Sequence, residues 1–228
     1  PIQIIKGTGD TNYRTMQLNL AAGTNTFQEM WQWTTNTNEH PTTHMNAQAY
    51  NVNDGIAYGI FTPSSSYDDS LTYLCRVSHV QNSAVCLCEA PWWGFTATIT
   101  PDGTMYLAQQ GGIKISKLVN THTIAYPTNS PVAYSSLGSC GSSHQWTQVL
   151  QGRGTGGAID VSNSGLTASY MESAYGAHPS SCTSTCYMKV WIKDGDNMAT
   201  WTPGNQKFAD FIDFEYNSNT YLIGLGQY

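Results

Sequence analysis

Cationic side chains are scarce: nine lysines and arginines stand against fifteen aspartates and glutamates, and charged residues are only 11% of the 228-residue chain. No basic run exists to hold a phosphate backbone, so nucleic acid is not an expected partner. Helical periodicity is missing as well, since no window keeps apolar residues at three-to-four spacing, and this excludes a helical bundle. No apolar run is long enough to cross a bilayer as a helix, so no membrane span is expected. None of the sixteen asparagines stands in Asn-x-Ser/Thr with a permitted middle residue, which excludes N-linked glycans. The histidines His40, His44, His79, His122, His144 and His178 form no HxH or HExxH pair. His40 and His44 are four apart, but Pro41 and two threonines oppose the helix that would align them on a metal. Asp194-Gly-Asp196-Asn197 begins like a calcium loop without its closing glutamate, so a hairpin turn explains it better. No metal and no cofactor is implied.

What the chain has is Thr, Ser, Asn and Gly, with 12% aromatic residues, the material of short strands and turns. Two copies of one unit, a strand, a tight polar turn and a second strand, lie within residues 45–107: MNAQAYNVNDGIAYGIF and WGFTATITPDGTMYLAQ. Asn53-Asp54-Gly55 and Pro101-Asp102-Gly103 are turn sequences in which glycine is free to take positive φ. Weaker copies occupy residues 156–171 and 208–225, so the turn positions Gly55, Gly103, Gly165 and Asn219 fall 48, 62 and 54 residues apart. That is the spacing of β-propeller blades.

Four further alternating segments, at residues 13–33, 71–89, 112–127 and 187–201, are read as the outer hairpins of those blades. The first has no inner hairpin before it and the last inner hairpin has no outer one after it, so the N- and C-terminal strands are expected to close one blade together. The expectation is a single all-β domain over residues 1–228, a small propeller of four blades. Residues 2–6 and 132–152 could add a fifth blade or form long loops. The alternative is an antiparallel sandwich or barrel, whose strands would alternate in the same way.

The phrase AQAYNVNDGIAYGI, followed by a hairpin and then by a strand ending in PDGTMYL, resembles the repeats of extracellular propeller domains of the NHL and related YVTN-like kind. The resemblance extends over all four units, more loosely in the last two. It implies a secreted or surface-attached binding module, and such families include some enzymes.

Cys75, Cys86, Cys88, Cys140, Cys182 and Cys186 make an even count with no paired metal spacing, which points to disulfides and an extracellular location. A chain that begins at Pro1, with no methionine and no hydrophobic presegment, reads as processed and secreted or as a piece of a larger one. A two-residue turn at Gln81 and Asn82 would set Cys75 opposite Cys88, and a shifted turn would set it opposite Cys86. The cysteine left over would then join Cys140, Cys182 or Cys186, and Cys182 with Cys186 can also close a small loop.

Tryptophans stand at every expected passage from an outer hairpin to the next blade: Trp31 and Trp33, Trp92 and Trp93, Trp146, and Trp201. Indoles among Asn, Gln and Thr can grip the flat face of a sugar, and Trp33, Trp93, Trp146 and Trp201 are the candidate ligand contacts. The competing role for the same rings is packing between blades. Gly138-Ser-Cys-Gly-Ser142, preceded by His40, His44, Asp68 and Asp69, resembles the nucleophile loop of chymotrypsin-like cysteine proteases, with Cys140 as nucleophile. The leading expectation is a secreted, non-enzymatic module that binds carbohydrate or another extracellular partner. The alternative is an enzyme on the same scaffold or a protease using Cys140. Oligomeric state is left open.

Overall fold

Segments with period-two alternation and β-branched or aromatic residues become strands, as their propensity dictates. A computed structural model describes residues 2–5, 13–19, 26–35, 44–63, 71–78, 83–109, 114–127, 132–151, 159–163, 168–173, 188–192, 198–201 and 208–226. Among these residues there is no α-helix, only two 3-10 turns, at Thr121–Thr123 and Tyr134–Ser136. The all-β expectation holds.

The strands in chain order are β1 (Ile2–Ile5), β2 (Tyr13–Asn19), β3 (Thr26–Thr35), β4 (His44–Asn51), β5 (Ile56–Thr62), β6 (Tyr73–Ser78), β7 (Ser83–Glu89), β8 (Gly94–Ile99), β9 (Met105–Gln109), β10 (Lys114–Leu118) and β11 (Thr147–Gln151). They continue with β12 (Ile159–Asn163), β13 (Ala168–Ser173), β14 (Met188–Ile192), β15 (Met198–Trp201), β16 (Phe208–Tyr216) and β17 (Asn219–Gly226). Strands β4 to β7, β8 to β11 and β12 to β15 form three antiparallel meanders in chain order, and β16 pairs with β17 alone. Their first strands are neighbours, β4 beside β8, β8 beside β12 and β12 beside β16.

Three expectations need correction. The terminal strands do not close a blade together among the described residues: β1, β2 and β3 join the first meander, where Thr34 and Thr35 of β3 run parallel to Ser83 and Ala84 of β7. The segment 112–127 is not a hairpin. Its second half turns into the 3-10 segment at Thr121–Thr123, and β10 pairs with β11 instead, which draws residues 147–151 into the second meander. The last turn lies at Asn217 and Ser218, both at positive φ, so it precedes Asn219, which is the first residue of β17.

The central strands of the meander β4 to β7 pack on both faces, whereas Tyr50 at the end of β4 and Glu89 at the end of β7 are exposed. In β5 the last five residues are buried in succession, the pattern of a strand packed on two sides. Tyr58 and Ile60 join Leu74, Trp93, Ile99, Met105, Leu107 and Leu118 in a core shared with the second meander. Phe61 turns the other way, toward Tyr13, Tyr73, Val77, Tyr134 and Leu137. There Tyr73 stacks on Tyr134 with centroids 4.8 Å apart, and Tyr13 meets Phe61 edge to face at 5.8 Å. Close contact of β4 with β8 requires Gly94, because a Cβ there would collide with Ala47 and with the Leu107 side chain.

Candidate functional site

The two turn sequences singled out above are docked to each other. Asn51 Oδ1 accepts the Asn53 amide at 2.9 Å, and Asp102 Oδ1 accepts the Thr104 amide at 3.0 Å, so side chains shape each turn locally. Asn53 Nδ2 then donates to the Pro101 carbonyl at 2.9 Å, and Asn51 Nδ2 donates to Thr121 Oγ1 at 3.0 Å. Thr121 Oγ1 in turn donates to the Gly103 carbonyl at 3.0 Å. Gly103, at φ 81°, leaves the space that His122 fills, since a Cβ would overlap the imidazole. This docking fixes the start of the connection between β10 and β11.

Beside it lies a charged cluster. Arg76 Nη2 meets Asp54 Oδ2 at 2.7 Å, with side-chain exposures of 8% and 16%, and the Tyr58 hydroxyl donates to the same oxygen at 2.6 Å. The guanidinium also lies over the Tyr126 ring, 4.4 Å from its centroid. Burial first, and then the hydrogen bond to Asp54, push the Tyr58 hydroxyl far above the ordinary phenol range, against the opposing pull of Arg76. The Tyr58 hydroxyl also lies 3.4 Å from the Thr121 carbonyl, so the cluster ties the β4–β5 turn, β5 and β6 to the segment from Thr121 to Tyr126.

The connection between β10 and β11 then returns to the end of β7. The Glu89 amide donates to the Gly138 carbonyl at 2.8 Å, and Cys88 is disulfide-bonded to Cys140. Trp146 Nε1 donates to the Glu89 carbonyl at 3.1 Å, while His144 Nε2 lies 2.8 Å from Thr123 Oγ1. Between these anchors opens a cleft of about 630 Å³, lined by residues 89–91 on one side and by residues 139–142 and 144–146 on the other. Its floor is partly apolar, with Trp146 and Cys140 packed against the main core, and its rim carries the exposed Glu89, Ser139, Ser142 and Gln145.

Of the four tryptophans expected to contact a ligand, Trp146 alone is shown at a cleft. Trp93 is 3% exposed and belongs to the core, as does its neighbour Trp92, over which the Lys114 ammonium sits 6.0 Å from the ring centroid. Burying the Trp93 ring in the cluster that also holds Leu107 and Ile99 removes more apolar surface from water than leaving it at a face. Trp33 lies in β3 opposite Tyr13, and Trp201 lies in β15 opposite Met188. Their side chains fall outside the described residues.

The cysteines take one of the foreseen pairings. Cys75 bonds Cys86, not Cys88. The ladder puts Ser78 opposite Ser83, so the connection is four residues long and the register moves by two, which keeps the same face toward Cys75. Cys88 is thereby left for Cys140. Its sulfur occupied, Cys140 offers no thiolate, and the protease chemistry is not open to it. Cys182, Cys186, His40, Asp68, Asp69 and the 194–197 turn lie outside the described residues, as does the His44 side chain. Among the described residues no group of three or more His, Cys, Asp or Glu could hold a metal ion, and no helix is long and apolar enough to cross a membrane.

Sequence reasoning missed Glu89, His144 and Gln145 as cleft residues, because they meet only through the long connection and its disulfide. It missed the Asp54 and Tyr58 partnership with Arg76 as well, although an arginine inside the apolar run LCRVS is a signal for a buried anion. Comparison of the chain with protein-family models and with curated proteins finds no match. The likeness to NHL and YVTN-like repeats therefore rests on the quoted sequence segments, with their turn residues and aromatics, and is not joined by any family match.

Proposed function

We propose that this protein is an extracellular binding module of propeller type that grips a carbohydrate ring in the cleft beside Trp146. The observation that carries the reading is the state of that indole. It is partly exposed, yet its N–H is committed to the Glu89 carbonyl and its loop is bonded to β7 through Cys88 and Cys140. A flat apolar ring held rigid at a cleft, with carboxylate, amide and hydroxyl groups around it, offers stacking for a sugar face and hydrogen bonds for its hydroxyls. Because the ring is already fixed, little conformational freedom is lost on binding.

Three consecutive meanders with adjacent first strands support the propeller-type arrangement, together with the turn sequences that resemble propeller repeats. Two disulfides support an oxidising, extracellular setting. The test is binding to an array of immobilised oligosaccharides. Retention of one class of glycan, competed by the same sugar in solution, is the expected result, and a protein that binds no glycan on the array contradicts the reading.

A further inference from the structure

We infer that the cleft prefers a sugar bearing a protonated amine, an inference that rests on the carbohydrate-binding reading above. Glu89 lines the cleft, is exposed, and has no ion-pair partner among the described residues. No described lysine or arginine lines the same space, and the chain as a whole carries a formal charge of −6. An anionic sugar would therefore meet a carboxylate with no lysine or arginine among the described lining residues to compensate it, His144 being the one basic side chain there and engaged with Thr123, and the net negative charge of the chain would oppose its approach. An ammonium group gains twice, from the carboxylate and from the electron-rich face of the Trp146 indole. A neutral sugar keeps only the stacking and the hydrogen bonds. The amine thus turns the Glu89 carboxylate from a bystander into a selector.

The charge can be tested without dismantling the cleft, because Glu89 holds the loop through its backbone. Its amide donates to Gly138 and its carbonyl accepts from Trp146, and Glu89→Gln leaves both groups in place. Affinities are measured by calorimetric titration with a glucosamine oligosaccharide, its fully N-acetylated counterpart and a uronic-acid oligosaccharide of equal length. The expected order is amine, then acetamide, then uronic acid, with the first two separated by about fivefold at low salt, the size of an exposed charge pair plus a ring contact. In Glu89→Gln the ratio of amine to acetamide should fall close to one, and high salt should shrink it in the parent protein. Equal binding of amine and acetamide, or a ratio that survives Glu89→Gln, overturns the inference and leaves the carbohydrate reading standing. Failure of all three sugars to bind overturns the preference as well, and the array then decides the reading itself.

Discussion

At the residue scale the two indoles Trp93 and Trp146 sit in different settings, the first buried in the core and the second partly exposed at the cleft. Trp93→Ala should cost about 3–5 kcal/mol of stability, the range for emptying an aromatic site in a core, and lower the melting temperature sharply. The measurement is denaturant unfolding, and a loss below about 1 kcal/mol would show that the ring is not a core element. Arg76 gives a second prediction: Asp54→Ala strands a guanidinium that is only 8% exposed, so a destabilisation of about 3–5 kcal/mol is expected. Replacing both partners by apolar residues should cost less than that single change, which unfolding of the two variants will check. Tyr58 adds a pH dependence. Its folded pKa lies above the unfolded value of about 10, so the folded state keeps a proton that the unfolded chain releases, and stability should be intact below pH ~10 and fall above it. Tyr58→Phe should flatten that alkaline decline in urea midpoints measured between pH ~8 and ~11. Alternation in sequence could not separate Trp93 from Trp146, because a ring buried in a core and a ring at the edge of a cleft carry the same local pattern. Trp93 is buried in the core cluster that also holds Ala47 and Leu107, the residues pressed against Gly94.

At the element scale most hairpins were legible and their partners less so. The hairpins of β4 with β5, β6 with β7, β8 with β9 and β12 with β13 follow from alternation broken by Asn, Asp and Gly. The error at residues 112–127 has a tertiary cause. Ile124 and its neighbours alternate like a strand, but Thr121 is captured by the Gly103 carbonyl and the chain turns there, leaving β10 free for a strand some thirty residues later. Register in β6 and β7 was open by two residues because period-two patterning is unchanged by a shift of two. The Cys88 and Cys140 bridge, across 52 residues of sequence, has no local signature at all. It should stabilise the fold by about 2–4 kcal/mol, so Cys140→Ser should lower the unfolding free energy by that amount and loosen the 132–146 segment. Proteolysis of the variant should then begin within that segment; cleavage at the parent protein's sites and rate would argue that the backbone hydrogen bonds to Glu89 hold the loop without the bridge.

At the scale of the whole molecule, the order of meanders was visible in the spacing of the turns, whereas the placement of the terminal strands was not. Edge strands carry exposed hydrogen-bonding groups that can join any free edge, and β3 meets β7, an edge that the repeat pattern does not single out. The hairpin of β16 and β17 flanks β12, so removing residues 208–228 should uncover that first strand and lower the melting temperature of the protein. An unchanged melting temperature would mean that the hairpin is an appendage. The central claim concerns the cleft between the end of β7 and the long connection from β10 to β11. Its most direct test is calorimetric titration of the Trp146→Ala protein with the oligosaccharide retained by the array. The account predicts a correctly folded variant whose affinity is about thirtyfold weaker, equivalent to about 2 kcal/mol. A folded Trp146→Ala protein with the parent's affinity would contradict it.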